Sequence, residues 1–400
     1  MTELDVTEDR EKANRKSING TMTNRKKLPD TEKPMVSLKD QIKKFTIKSL
    51  LGYHTVNIVG FGQRLGIFDY LYDKMNSGPG KILNPKVSFS MDELCKELEL
   101  QPHFLEAWLQ MAIETGIFQF QPNQTNSFIP CEYVIELLVD PDSGFFIRDL
   151  IEGFYYISFY QKEILEGFRG GSYLSWEELP TRIREVGSRM ASRMGVKIER
   201  FFSRHYRKRK RKLKKGGNIL DVGCGFGFTL QHWAKKYKRS SFIGLDIDEE
   251  AIEHSRGLLA DHGEKVELHA IPVEDFASNS KSGEQCDKEG AFDVILLNQV
   301  LHEIKKNRSY HLQILNNLHN LLGEDGVLLI GEDMIPPLLN EDGENSRNMD
   351  FFAVSHKWLE LIMDSRFYSE PEFIELLMES KFSRWEHIKN SGVKFWILFH

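Results

Sequence analysis

Cysteine is scarce, with four residues in 400, at positions 95, 131, 224 and 286. The closest two, Cys95 and Cys131, stand 36 residues apart. That spacing excludes a CxxC redox pair or a local zinc knuckle and fits the reduced thiols of a cytoplasmic protein. Long apolar runs are missing as well. The longest, such as Val327–Ile330 and Phe395–Phe399, fall far short of the roughly 20 residues that span a bilayer, so no segment is expected to cross a membrane. The opening stretch has no apolar h-region and no small-residue cleavage pattern, which excludes a secretory signal, and its polar, charged composition predicts a disordered tail over residues 1–38. With 40% hydrophobic residues, the remainder is long enough to bury a sizeable core in two or three domains.

Charge is unevenly spread. The chain carries a formal net charge of −6, yet "RHYRKRKRKLKK" (204–215) holds nine Lys or Arg in twelve residues, leaving the rest strongly acidic. Such a run is either a solvated helix end or a patch for nucleic acid, anionic membrane or nuclear import. It has no interleaved aromatics beyond Tyr206, which weighs against stacking on single-stranded nucleic acid.

The apolar spacing from Phe45 to Leu71 predicts helix over residues 45–75. Ser90 with Glu93 forms a capping box that starts a helix through Leu98. Pro102 opens a second helix that Gly116 ends, and "IFQF" and "SFIP" flank "QPNQTN" as a hairpin. Helix, turn, helix, hairpin is the outline of a winged helix, expected over residues 39–135. Residues 102–115 contain no Lys or Arg and two Glu, so a recognition helix that neutralises phosphates is not expected there. Residues 136–215 read as a helical linker and substrate-covering region, in which "GFYYISFY" (153–160) is either core or the lining of a pocket.

From residue 216 to 400 the pattern becomes α/β: strand "NIL", helix "TLQHWAKKY", strand "SFIGLDI", helix "EEAIEHSRGLLADHG", strand "VELHAIP". After a polar surface loop at 277–291 come strand "FDVILLNQ", helix "YHLQILNNLHNLLGEDG" and strand "VLLIGED". This alternation predicts a doubly wound, mostly parallel sheet that binds ligands at the carboxyl ends of its strands. Between the first strand and its helix, Gly223, Gly225 and Gly227 give G-x-G-x-G. A dinucleotide fingerprint wants G-x-G-x-x-G, and its third glycine position is occupied here by Phe228. Asp221, two residues before the loop, would repel a pyrophosphate but suits a cationic amino group. Asp246, ending the second strand, can accept from both hydroxyls of a ribose. One ribose and one amino acid describe S-adenosylmethionine.

With Asp246, the stretch Asp221-Val222-Gly223-Cys224-Gly225-Phe226-Gly227 resembles the cofactor motif of class I S-adenosylmethionine-dependent methyltransferases. The resemblance implies further cofactor contacts: Ile247 beside Asp246, then Asp275 and Phe276 of "VEDF" at the adenine, with Glu274 a neighbour. It implies that Asn298, at the end of the fourth strand, lies where methyl group and acceptor meet. From about residue 45 onward the chain is similar to winged-helix small-molecule O-methyltransferases. That narrower resemblance implies a dimerising N-terminal module, a general-base His302 nine residues after Asp293, and an acidic partner, Glu332, in "LLIGEDMIPP". It extends to a closing helix pair and strand, whereas Glu303 departs from the Asp that many relatives carry before Trp.

A neutral imidazole suits removal of a hydroxyl proton near pH 7, and Glu332 would fix its tautomer. His311, His319 and His356 are expected to be exposed or core residues. No Asp/Asn cluster follows the fourth strand, so no metal is assigned. The function implied is methyl transfer to a small-molecule acceptor, without nucleic acid, by a cytoplasmic homodimer. The competing reading is a regulator that keeps the cofactor fold and uses residues 204–215 on nucleic acid or membrane.

Overall fold

The computed structural model describes residues 37–77, 87–171, 173–279, 290–304, 307–339, 350–389 and 394–400. All but the end of the expected tail, and most of the expected 277–291 loop, lie outside them. Residues 1–50 and 51–400 form two compact units. In the first, α1 (Leu38–Lys43) is capped by Ser37, whose hydroxyl oxygen accepts from the Asp40 N–H at 3.1 Å.

The larger unit includes most of α2 (Ser49–Arg64), then α3 (Ile67–Asn76), α4 (Met91–Glu97) and α5 (Pro102–Glu114). Ser90 and Glu93 form the expected reciprocal capping box, and Gly116 takes the left-handed φ of 75° that ends α5. Strands β1 (Phe118–Phe120) and β2 (Phe128–Pro130) pair antiparallel, and Phe89 bridges to Phe128 as a third edge. Ile58, Phe68, Leu71, Leu94, Leu105 and Trp108 share one apolar core beneath them. The helix, turn, helix and hairpin of a winged helix are thus all present.

Next come α6 (Arg148–Ile157), α7 (Gln161–Gly167), α8 (Thr181–His205) and α9 (Arg207–Lys215). The aromatic stretch divides: Tyr155 and Tyr156 are buried and Phe159 is exposed. The basic run folds as α9, anchored by the buried Leu213. Arg209 donates to the Asp325 carbonyl at 3.0 Å, and Lys212 pairs with Asp293.

The sheet contains β3 (Asn218–Val222), β4 (Ser241–Asp246), β5 (Val266–Ala270), β6 (Phe292–Asn298), β7 (Leu322–Gly331), β8 (Arg384–Ile388) and β9 (Phe395–Phe399). Its order is β5-β4-β3-β6-β7-β9-β8; the first five strands are parallel and β9 is antiparallel to both of its neighbours. Alternation puts Leu220, Ile295, Leu297 and Ile330 in the core on one face and Ile219, Val294, Leu296 and Leu329 in the core on the other, as a sheet covered on both faces requires. The crossover helices are α10 (Phe228–Lys236), α11 (Glu249–Leu259), α12 (Val273–Asn279) and α13 (Arg308–Leu321), and α14 (Phe351–Leu359) and α15 (Glu370–Glu379) precede the final hairpin. Among the described residues, no helix is long and apolar enough to cross a membrane.

Several boundaries differ from the sequence expectation: the helix expected over 45–75 breaks at Gly66, whose φ is 75°, and α12 runs into the expected loop as far as Asn279. Helix α13 ends at Leu321 rather than at the glycines after it, because Leu322 already pairs with Phe292, and an irregularity in register carries β7 on to Val327.

Candidate functional site

The sheet order reverses at β3, so β4 and β6 flank it and their carboxyl ends open the crevice where such folds bind ligands. In the turn from β3 to α10, Gly223, Gly225 and Gly227 have φ of 71°, 51° and 80°. A Cβ on Gly223 would overlap the Val300 side chain, one on Gly225 would lie 2.7 Å from Ser188 Oγ, and one on Gly227 2.8 Å from Ser255 Oγ. Backbone sign and close approach therefore both demand glycine here. The N–H groups of Gly223 and Cys224 donate to the Leu245 carbonyl at 2.8 and 3.0 Å, tying the turn to β4.

Asp221 is 2% exposed, and its Oδ2 has no hydrogen-bond partner. Burial, and then the charge of Asp246, push its carboxyl up to about 8. A buried carboxyl in this state is relieved by a cationic partner, so the donor set fits the ammonium of an amino-acid ligand. Asp246 accepts the Gly225 N–H on Oδ2 at 2.7 Å and the Asp248 N–H on Oδ1 at 3.0 Å. Ile247 beside it presents an exposed apolar side chain, and Asp275 is also exposed.

Phe276 is 1% exposed and packs in the core beside β6, its ring centroid 6.4 Å from that of Phe292. "VEDF" opens α12, and the position of Phe276 on that helix points inward. Glu274 accepts from the Tyr310 hydroxyl.

Asn298, at the end of β6, donates from Nδ2 to the Ala191 carbonyl of α8 at 2.8 Å, and its Oδ1 is buried without a partner. Helix α8 thus covers the crevice. Ser188 accepts the Phe226 N–H at 3.1 Å, and Arg184, buried, pairs with Asp248 and Glu250 just beyond β4. Trp176 also donates to Asp248, at 3.2 Å. Ser188 and Arg184 escaped the sequence reading because nothing local links them to strands beginning some 30 residues later.

Beyond Asn298 lies a turn holding His302, which is 2% exposed. Glu332, at the end of β7, accepts the N–H groups of Val300 and Leu301 on Oε1 at 2.8 and 2.7 Å, and its Oε2 lies 2.7 Å from His302 Nδ1. The carboxylate accepts on both oxygens, so Nδ1 is the donor, and Nε2 is buried without a partner. The His302 ring stacks on Phe367, with centroids 4.5 Å apart and planes at 13°. The next residue, Asp333, lies 2.8 Å from His356 Nδ1. Burial lowers the pKa of His356, but Asp333 and then Glu360 more than offset this and raise it to about 10. Burial, and then Glu360, hold the Glu303 acid well above its ordinary range. His311 bonds to Tyr368 and to the Ile304 carbonyl as a structural residue, and His319 packs between Phe382 and His400.

Residues 220–328 match the family model of a methyltransferase domain. The ribosomal protein L11 methyltransferase of Thermotoga neapolitana is 30% identical over 160 residues, covering 38% of this chain and 52% of that protein. The chain spans about half the length of the curated relatives it matches. An O-methyltransferase family protein from Burkholderia thailandensis superposes with a TM-score of 0.62 at 15% identity, covering 91% of this chain and 98% of that one. Human N-acetylserotonin methyltransferase in complex with S-adenosylmethionine does so with a TM-score of 0.58 at 14% identity, covering 91% and 99%. The fold likeness takes in the helical module as well as the matched region, so the chain shares this fold and carries a methyltransferase domain over residues 220–328.

Proposed function

We propose that this chain moves the methyl group of S-adenosylmethionine to a hydroxyl of a small-molecule acceptor, with His302 as general base. The observation that carries this reading is the contact between Glu332 and His302 Nδ1, which orients the imidazole with its Nε2 unpartnered at the end of the ligand-binding edge. When bound, the cofactor supplies a methyl group on a sulfonium. Asp246 accepts from the ribose hydroxyls, Asp221 from the ammonium, and Ile247 and Asp275 serve the adenine. The glycine turn lets the backbone come close, and Asn298 borders the place where donor and acceptor meet. His302 takes the hydroxyl proton, Glu332 stabilises the resulting imidazolium, and α8 excludes water; orientation of the two reactants contributes most of the rate.

A small acceptor is favoured over a macromolecule because the likeness to the O-methyltransferase fold runs through the helical module, whereas the likeness to the ribosomal-protein enzyme covers 160 residues. The exposed Phe104, Phe120 and Tyr133 of the module support a homodimer contact. The absence of Lys and Arg from α5 supports a role without nucleic acid, and the free thiols of Cys95, Cys131 and Cys224 support a cytoplasmic setting. A regulatory role on nucleic acid or membrane is favoured only by α9.

The test is calorimetric titration of the wild type and of Asp246→Ala with S-adenosylmethionine and S-adenosylhomocysteine. Binding near micromolar that the variant loses supports the site and opens a screen of acceptors against wild type and His302→Ala. A wild type that binds neither ligand overturns the reading.

A further inference from the structure

The acceptor side of the crevice holds more than a base needs. One ring nitrogen each from His302 and His356 and one oxygen of Glu360 lie within 4.8 Å of one another. The Nδ1 atoms of both histidines are already engaged, by Glu332 at 2.7 Å and by Asp333 at 2.8 Å. The Nε2 of His356 faces Glu360, and that of His302 is buried with no hydrogen-bond partner. An orphaned buried nitrogen is costly unless something fills the gap. Glu360 Oε1 lies 3.6 Å from His356 Nε2, while Oε2 accepts from the Ser365 hydroxyl at 2.8 Å. One carboxylate oxygen is thus held by Ser365 and the other faces His356.

We propose that His302, His356 and Glu360 form a binding site for a divalent transition-metal ion of the zinc class. Two imidazoles and a carboxylate are a borderline-soft donor set that suits zinc, cobalt or iron better than magnesium or calcium. The outer partners are those that such sites use: each ligating imidazole donates its other N–H to a carboxylate, which fixes the tautomer and raises the basicity of the ligand. Here the two carboxylates are consecutive, so a single strand end, Glu332 and Asp333, aims both rings. His356 and Glu360 are four residues apart on one continuous turn of chain, from α14 into the 3-10 turn Glu360–Met363. Phe367 packs against both imidazoles, with ring centroids 4.5 and 5.2 Å away, supplying an apolar wall. Glu303 adds a further acid beside Glu360.

Ligand atoms around a tetrahedral zinc stand roughly 3.3–3.4 Å apart, so side-chain rotations of about 1 Å close the site. Three protein ligands leave a fourth position open. The metal would occupy the lone pair assigned above to proton removal. Proton removal by His302 therefore belongs to the metal-free protein, and a bound ion would block it. This last consequence rests on the methyl-transfer reading; the metal site itself does not.

The experiment uses the full chain, stripped with a chelator and titrated with zinc against a chromophoric competitor, and separately with cobalt, whose visible absorption reports coordination. The expected result is one tight equivalent and a cobalt spectrum of four- or five-coordinate type. Glu360→Gln and His356→Asn should abolish both, and Asp333→Asn should weaken zinc by about 10–100-fold. S-adenosylhomocysteine binding, measured on the same samples, should stay unchanged in all three, which certifies folding and tests the cofactor reading separately. Should His356→Asn fail to fold, the near-isosteric Glu360→Gln decides. Failure of the wild type to bind one equivalent, or binding that persists undiminished in Glu360→Gln, overturns the proposal; loss of cofactor binding with zinc binding intact would instead sink the methyl-transfer reading and leave the metal site standing.

Discussion

At Asp221 the chain buries an acid without a partner, and its chemistry is set by that choice. Because burial pushes the carboxyl up to about 8, a cationic ligand must first ionise it. Affinity for S-adenosylhomocysteine should accordingly rise between pH 6 and pH 8 by up to about tenfold per unit, and Asp221→Asn should bind weakly with no such slope; calorimetry at three pH values measures it. Folding responds with the opposite sign. The unfolded carboxyl ionises near its ordinary 3.8 while the folded one keeps its proton, so stability relative to Asp221→Asn falls as the pH rises from about 4 to about 8. Glu332 sets a second expectation. Glu332→Gln keeps the shape but removes the charge that fixes the His302 tautomer, so turnover should drop by about 100-fold or more while cofactor affinity stays level; single-turnover rates with any accepted substrate check this. Both positions were picked out in the sequence by the family resemblance, through the spacing of His302 to Asp293 and the strand that precedes Glu332. The role of His356 was not, because its neighbours Asp333 and His302 lie 23 and 54 residues away and only folding joins them. The burial of Phe276 was hidden for a related reason: "VEDF" does not say which face of α12 its apolar residue occupies.

At the scale of elements, the crevice depends on a turn that only glycine can make and on a helix latched over it. Gly225→Ala would combine a left-handed backbone with a Cβ 2.7 Å from Ser188 Oγ. The cost should be about 2–4 kcal/mol, seen as a lower urea midpoint with an unchanged slope. Cofactor binding should weaken in parallel, because the same turn carries the N–H that Asp246 accepts. The latch is the ion pair of Arg184 with Asp248, both buried. Arg184→Met leaves the Asp248 carboxylate buried with only the Trp176 and Ala251 N–H groups, at a cost of about 3 kcal/mol. Adding Asp248→Asn should recover part of that loss, and a double-mutant cycle in thermal melts measures how much. The five parallel strands and the crossover helices α10, α11 and α13 were readable from their apolar runs, whereas α12 was not. The start of β7 was not, since "LLGEDG" continues a helical period and only the partner Phe292 draws Leu322 into the sheet.

Across the whole molecule, the parallel strands separate two kinds of surface. Their carboxyl ends carry the glycine turn, Asp246, Asn298 and His302, while α9 docks on the opposite edge, where Asp293 opens β6 and Asp325 lies in the first half of β7. The basic run is thus built into the domain at the far end from the chemistry, with Leu213 as its anchor. Its composition announced a charged helix, but only the fold reveals which edge it sits on. If small-molecule methyl transfer is the function, the exposed cations of α9 provide no more than non-specific attraction to polyanions. That attraction comes from counterion release and falls steeply with salt. Fluorescence anisotropy with a duplex DNA should accordingly show weak, sequence-independent association at about 50 mM salt that disappears by about 200 mM. Lys210→Glu with Lys214→Glu should remove it entirely while S-adenosylhomocysteine binding stays unchanged, because neither residue borders the crevice. Submicromolar binding that survives at the higher salt would instead make α9 a working nucleic-acid surface, and the acceptor would then be sought among nucleic acids.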